Sequence, residues 1–327
     1  MSSTAWLRPR TAAEVTMALG LPGARILAGG TDLVPNRTWE LDTGTTWVGI
    51  GAVPGTREVR CDAAGRWEVG AAVTLAEVLA HPQLGRHYPL WMEAMRAVAT
   101  PEIRTQATVG GNLCVDTRCR FRNQPPIWRS GLIPCFKSGG DRCYAAPASR
   151  LCVAMLVSDS APVLMAMGAE AAVAGPFARW IALADLYSGD GDRHLTLNPG
   201  EWVRAIRLPA KPPLGAFRKW RPRATMDFPE VDVAVSVDCD EEPRVVRIVV
   251  SAVGPVPVRA TSAETLLESG PWTSERLAEA ADRARAAVHP YDNGQLRVWG
   301  RQRAVHGLVL DALRQVASAV VEKGAQA

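Results

Sequence analysis

The chain has 327 residues, 47% of them hydrophobic and 21% charged, with a formal net charge of +4. That length allows two domains, and the composition is that of a globular protein. Charges of both signs are interspersed with no Lys/Arg block, which argues against nucleic acid and anionic membrane surfaces as partners. The first twenty residues lack the apolar core of a signal peptide, and no stretch reads as the roughly 18 apolar residues a membrane helix needs. The expected location is therefore the cytoplasm, with no membrane association. Seven cysteines in a reducing compartment point to metal or redox chemistry more than to disulfides.

Thr11 to Leu19 has a Thr cap and helical spacing, and Gly20 stops it. Arg25 to Ala28 reads as a short buried strand running into Gly29-Gly30-Thr31-Asp32. Thr46 to Ile50 and Trp67 to Ala71 are further strands. Thr74 caps a helix that Pro82 ends, and Tyr88 to Val98 is another helix. A segment rich in Arg, Pro, Gly and Ser follows Asn112, with poor periodicity; a loop of that length is unusual unless a metal fixes it. Regular structure resumes at Ala161 to Ala174, a short helix and a strand, and Trp180 to Leu186 reads as a connecting helix. Strands are expected at Trp202 to Leu208, Ala216 to Arg221, Val231 to Val237 and Arg244 to Ala252, and helices at Ser274 to Val288 and Arg303 to Val321. Strands followed by helices suggest an α+β domain with helices on an antiparallel sheet. The boundary is placed near residue 210, at Pro209-Ala210-Lys211-Pro212-Pro213.

Five of the seven cysteines fall between Cys114 and Cys152, spaced C-x4-C-x15-C-x7-C-x8-C. Thiolates are soft donors for iron–sulfur clusters and for zinc, and either takes four, so one is spare. Structural zinc favours tight C-x2-4-C pairs, whereas single, widely spread cysteines suit the corners of a cubane. Spacing alone leaves iron–sulfur, zinc and unligated thiols all open. Cys61 and Cys239 read as isolated small hydrophobes.

Two glycine motifs are alike: Ala28-Gly29-Gly30-Thr31-Asp32-Leu33 and Thr108-Val109-Gly110-Gly111-Asn112. Each offers consecutive amide donors with no Cβ in the way, which suits a pyrophosphate; each could also be no more than a tight turn. Neither is G-x-G-x-x-G, so a Rossmann site is not indicated. The five histidines form no H-E-x-x-H and read as surface or packing residues. No G-x-S-x-G and no P-loop is present, so an acid–base or nucleophilic catalyst is not expected.

AGGTDL and TVGGN, in this order and separation, resemble the FAD-binding medium subunit of the xanthine dehydrogenase and carbon monoxide dehydrogenase family of molybdenum hydroxylases. Lys219, Asp227-Phe228-Pro229 and Val231 to Val237 are similar to the start of that family's C-terminal domain. The resemblance implies an FAD-binding domain of the vanillyl-alcohol-oxidase (PCMH) type over 1–209, in two α/β subdomains (about 1–55 and 56–209). A C-terminal domain of antiparallel sheet plus helices then covers 210–327. It implies FAD on Ile26, Leu27, Ala28, Gly29, Gly30, Thr31, Asp32 and Leu33 and on Thr108, Val109, Gly110, Gly111 and Asn112. Asp159 matches an acidic position near the flavin and Lys219 a basic one, with Asp116 and Val98 as further candidates. A cation there would stabilise an anionic reduced flavin.

The cysteine-rich insertion at 113–153 resembles one branch of that family, the β subunit of 4-hydroxybenzoyl-CoA reductase. It does so through Asn112 to Cys119, Asn123-Gln124 and Trp128-Arg129. In that branch four cysteines bind a [4Fe-4S] cluster, and by position they are Cys119, Cys135, Cys143 and Cys152, with Cys114 spare. Pro125-Pro126-Ile127 stands where the branch is richer in aromatics, and Tyr144 stands in place of an expected histidine. The resemblance implies a dimer of heterotrimers. In it a large subunit holds the molybdenum cofactor and a small one two [2Fe-2S] clusters. A ferredoxin-like donor feeds electrons through this chain for reductive dehydroxylation of 4-hydroxybenzoyl-CoA. An N-heterocycle or aldehyde hydroxylase subunit, and a zinc-stabilised binding protein, are the alternatives.

Overall fold

The computed structural model describes residues 4–239 and 244–326, so the outermost ends of the expected domain ranges, 1–3 and 327, lie outside the described residues. The N-terminal unit is a three-stranded parallel sheet of order β1-β3-β2, built from β1 (Ala5–Leu7), β2 (Ala24–Leu27) and β3 (Thr46–Gly49). Helix α1 (Ala12–Leu19) crosses over between β1 and β2, and the Thr11 hydroxyl accepts from the Glu14 amide at its start. Helix α2 (Leu33–Thr38) begins directly after the first glycine motif.

A five-stranded antiparallel sheet follows, of order β4-β5-β8-β6-β7: β4 (Val59–Cys61), β5 (Trp67–Gly70), β6 (Glu170–Ala174), β7 (Arg179–Ala182) and β8 (Trp202–Leu208). Its helices are α3 (Leu75–Ala80), α4 (Pro82–His87), α5 (Pro89–Ala97), α6 (Pro101–Arg104), α7 (Val109–Leu113), α8 (Pro126–Arg129) and α9 (Ser160–Ala166). Two readings are corrected. Pro82 does not merely end α3: it opens α4, because at the first helical position its missing N–H costs nothing. Trp180 to Leu186 is not a helix but edge strand β7, paired with β6, followed by a 3-10 turn at Leu183–Leu186.

The C-terminal unit is a four-stranded antiparallel sheet of order β12-β11-β10-β9, with β9 (Leu214–Trp220), β10 (Val231–Asp238), β11 (Val245–Ser251) and β12 (Val258–Arg259). It carries α10 (Thr261–Glu268), α11 (Ser274–Ala286) and α12 (Val298–Gln326). The chain is therefore α+β, as expected. Strand β10 explains how the units join. Val231, Val233, Val235 and Val237 point into a core formed with α10, α11 and α12. The alternate residues Asp232, Ala234 and Ser236 point the other way, where Ala234 joins the first core and Ser236 Oγ donates to Ala166 O at 2.7 Å.

Over Val298–Glu322, α12 is long and apolar enough to cross a membrane by length and composition, which corrects the expectation that no such stretch exists. One face of it, through Val305, Val309, Ala312, Leu313 and Val316, is buried in the C-terminal core. That spacing is the stripe of a helix lying on a sheet.

Where the units meet, α5 and α9 pack together and against β9 and β10. Trp91 is fully buried there, and its Nε1 donates to Ser160 Oγ at 3.0 Å. Lys219 of β9 stands 2.6 Å from Asp159 Oδ1, with both side chains about 5% exposed or less. Its cross-strand neighbour Asp232 is fully buried, neither of its oxygens meets a donor among the described residues, and the Asp159 carboxyl faces it. Burial, reinforced by Asp159 and opposed by Lys219, pushes the Asp232 carboxyl well above the usual range.

Trp91→Ala should cost about 3–5 kcal/mol, because it empties a large site and strands the Ser160 hydroxyl; the urea midpoint measures it. Asp232 gives a pH test. A carboxyl whose folded pKa lies above its unfolded value binds its proton more tightly when folded. Its stabilisation is then present at low pH and is lost as pH rises from the ordinary value of 3.8 towards the folded one. Asp232→Asn mimics the neutral acid and has no proton to lose. Its melting temperature should fall less than the wild type's between mildly acid and mildly alkaline buffer, and equal slopes would refute a protonated Asp232.

Candidate functional site

A cleft of about 580 Å3 lies between the parallel unit and the antiparallel sheet, and both glycine motifs line it. They meet because residue 29 passes so close to the Gln106–Ala107 backbone that a Cβ there would fall 1.8 Å from Gln106 O. Gly30 has φ +72°, in the left-handed region that glycine tolerates, and turns the chain into α2. In the second motif Thr108 Oγ1 accepts from the Gly111 amide at 3.1 Å and caps α7. A Cβ on Gly110 would meet Ala71 Cβ at 2.6 Å. Each motif thus leads into the first turn of a short helix, not into a plain turn, and leaves amide donors beside the cleft.

Of the expected residues, Ile26, Ala28, Gly29, Gly30, Thr31, Asp32 and Leu33 line the cleft. So do Thr108, Gly110, Gly111, Asn112, Asp116, Asp159 and Val98. Leu27 and Val109 are not on its wall; Val109 is core. Lys219 stands one layer behind, reaching the cleft only through Asp159, and its Nζ also donates to Ala97 O at 3.1 Å. Asn112 Oδ1 accepts from Ser158 Oγ at 2.9 Å, which ties the second motif to the segment before α9. Asp32 accepts from Asn36 Nδ2 at 3.0 Å and from the Asp116 amide at 3.3 Å, and pairs with Arg118.

His194 also lines the cleft, and so does Trp202. The buried His194 Nε2 and Trp202 Nε1 have no partner among the described residues. Unpartnered buried polar atoms on a cleft wall fit a polar ligand. Burial pushes the His194 imidazole below its ordinary value, against the pull of Asp116. Of the five histidines read as surface or packing residues, His194 is the one that lines this cleft. No local motif marks His194, since it reaches the cleft from a loop far along the chain.

The cysteine loop is anchored to the same wall. Lys137 Nζ, almost fully buried, contacts Asp116 Oδ1 at 2.6 Å and Thr117 O at 2.9 Å. Burial would raise the Asp116 carboxyl, but Lys137 outweighs it and holds it low. Cys114 lines the cleft, and burial pushes its thiol up to about 12. Beyond it, Cys119 is an electrostatic neighbour of both Cys143 and Cys135, and Cys152 of Cys119 and Cys143, so the four thiols share one neighbourhood. The Arg122 amide donates to Cys119 O at 2.9 Å, which turns the chain just after that cysteine. Gly140 admits the close turn between Cys135 and Cys143, where a Cβ would lie 1.8 Å from Pro134 O. Tyr144 stacks on Phe121 with centroids 5.6 Å apart, and its hydroxyl donates to Ile133 O at 2.8 Å. Among the described residues, no three His, Cys, Asp or Glu side chains converge closely enough to hold one metal ion.

Comparison with known proteins accords with this geometry. A family model described as the FAD binding domain in molybdopterin dehydrogenase matches residues 2–211, and one described as the CO dehydrogenase flavoprotein C-terminal domain matches 216–316. The chain is 32% identical to the aldehyde oxidoreductase FAD-binding subunit PaoB of Escherichia coli (strain K12), over 96% of this chain and 100% of that one. It is 26% identical to the nicotine 6-hydroxylase medium subunit of Paenarthrobacter nicotinovorans, over 93% and 90%. The fold is shared with carbon monoxide dehydrogenase from Hydrogenophaga pseudoflava, with TM-score 0.78 at 22% identity over 97% of this chain and 98% of that one. The chain belongs to the FAD-binding medium subunits of the xanthine dehydrogenase and CO dehydrogenase family of molybdenum hydroxylases.

Proposed function

We propose that this chain is the flavin and iron–sulfur subunit of a molybdenum enzyme complex that oxidises an aldehyde. The observation that carries the electron-transfer part is the quartet Cys119, Cys135, Cys143 and Cys152, gathered in one neighbourhood on a loop pinned by Lys137 to the flavin cleft. A zinc ion would need sulfurs about 2.3 Å from one centre. Thiols that share a neighbourhood without converging on one point fit the four corners of a [4Fe-4S] cluster better. The glycine motifs would hold the FAD pyrophosphate, and Asp159, backed by Lys219, would face the bound cofactor. FAD supplies two-electron exchange and the cluster one-electron exchange when bound. This chain's residues hold both groups, exclude water and set the local charge.

The aldehyde part rests on the likeness to the E. coli subunit along its whole length. Partners would be a large molybdenum-cofactor subunit and a small subunit with two [2Fe-2S] clusters, as a dimer of heterotrimers. The division at residues 209 and 210, with subdomains of about 1–55 and 56–209, belongs to this reading; a second hydrophobic core confined to the C-terminal unit supports the division at 209 and 210. A second reading is favoured by the cysteine insertion itself, which resembles 4-hydroxybenzoyl-CoA reductase. In that case a ferredoxin-like donor would drive reductive dehydroxylation on the large subunit.

The purified complex separates these readings. Oxidation of aromatic aldehydes with an artificial acceptor is expected. Dehydroxylation of 4-hydroxybenzoyl-CoA with a strong reductant, and no aldehyde turnover, would move the assignment to the second reading. In the visible spectrum, Cys135→Ser should remove the broad iron–sulfur absorbance and leave the flavin bands. A colourless wild type with stoichiometric zinc would end the redox proposal. Gly29→Ala should lower FAD occupancy, because its Cβ must push the Gln106 backbone aside; full occupancy would show that this approach does not shape the site.

A further inference from the structure

Asn293 belongs to the C-terminal part of the chain, between α11 and α12, and is fully buried. Its backbone carbonyl accepts from the Arg120 amide at 2.8 Å, and its side-chain Nδ2 donates to Val153 O at 2.5 Å. Arg120 is the residue after Cys119, and Val153 the residue after Cys152. One side chain and its own carbonyl therefore grip two points, 33 positions apart, that each adjoin a cysteine of the quartet. The gripped segments also pair with each other: Arg118 and Met155 exchange backbone hydrogen bonds at 2.8 and 2.7 Å.

Asn293 is itself held. Arg301 of α12, fully buried, donates from Nη1 to Asn293 Oδ1 at 2.9 Å and to Tyr291 O at 2.9 Å. Its Nε donates to Glu230 O at 3.1 Å, and its Nη2 bonds Ala252 O. The Glu230 carboxylate accepts from the Gln295 and Leu296 amides at 2.8 and 3.2 Å, which fixes the turn that carries Asn293. With Oδ1 bound to the guanidinium, the amide can only present Nδ2 to Val153. The orientation is set by charge and not by chance.

We propose that Asn293, oriented by Arg301, is the positioning residue of the cysteine quartet, so that the C-terminal domain fixes the spacing of Cys119 and Cys152. The inference rests on the reading of those cysteines as ligands of an iron–sulfur cluster. It deepens that reading, because the two segments could instead have been held by the cysteine loop alone. Groups just outside a metal's ligands typically change metal retention by about 10–100-fold when removed.

The test uses the intact complex carrying Asn293→Ala, with Asn293→Asp and Arg301→Lys beside it and Cys61→Ser as a control thiol outside the quartet. Iron per chain, the rate of cluster bleaching in air, the electron paramagnetic resonance of the reduced cluster, FAD content and melting temperature are measured together. Asn293→Ala should bleach about tenfold faster or more and shift the resonance, while FAD content stays near wild type and the melting temperature falls only by what the lost buried hydrogen bonds cost. Asn293→Asp, which keeps the acceptor for Arg301 and loses the donor to Val153, should do the same, and it decides the matter if the alanine variant does not fold. Wild-type bleaching and resonance in both Asn293 variants would overturn the proposal. So would loss of FAD and stability in step with iron, which marks a general packing role. A wild-type complex without iron would instead overturn the underlying cluster reading, and the two failures are thereby distinct.

Discussion

At residue 29 two stretches of backbone pass so closely that no side chain fits between them. The parallel unit supplies one, after β2; the antiparallel unit supplies the other, at Gln106 and Ala107. This approach brings the two glycine motifs to one cleft. Without it each motif would be an isolated helix start, and amide donors on separate bodies cannot converge on one pyrophosphate. Asp32 reinforces the seam by receiving the Asp116 amide and the Arg118 guanidinium from beyond the second motif. The same contact carries the cysteine loop to the cleft, since that loop begins at α7.

The second constraint is electrostatic. Asp159, Lys219 and Asp232 meet in a buried seam between α9 and the C-terminal sheet, with the Arg221 charge acting on both carboxyls. A buried ion pair is weak evidence for stability, because desolvation offsets its attraction. Its position suggests another use. Asp159 faces the cleft, and its charge state depends on a lysine and a carboxyl that both lie in the other unit. The field felt by anything bound in the cleft is therefore set partly by the C-terminal sheet.

Sequence patterns disclosed most of the long elements because their periodicity survives on each face. Valine at every second position of β10 reads directly as a buried strand. The same alternation turns Asp232 away from the valines, and the packing of α9 on that face buries it. Short elements escaped: α7 contains two glycines, α2 contains Pro35, and α6 and α8 have four residues each, too few for a helical period. Trp180 to Leu186 misled because an edge strand with exposed residues lacks clean alternation. The glycine motifs were legible as donors of amides, yet not that they start helices. His194 and Trp202 were illegible as cleft residues, because nothing near them in sequence marks the site.

The cysteine loop shows the limit of spacing as a guide. Five cysteines in 39 positions left zinc, iron–sulfur and idle thiols all open. In three dimensions four of the thiols neighbour one another without, among the described residues, converging on one point, and the fifth lines the cleft. The fold keeps that arrangement by fastening the loop from three sides. Lys137 ties it to Asp116, the Arg118–Met155 pairing ties its two ends together, and Asn293 ties both ends to the C-terminal unit. A loop with little regular structure can hold four sulfurs in register only because its ends cannot drift. Here the ends are governed by a guanidinium buried in a helix 181 positions beyond Arg120 and 148 beyond Val153 in sequence.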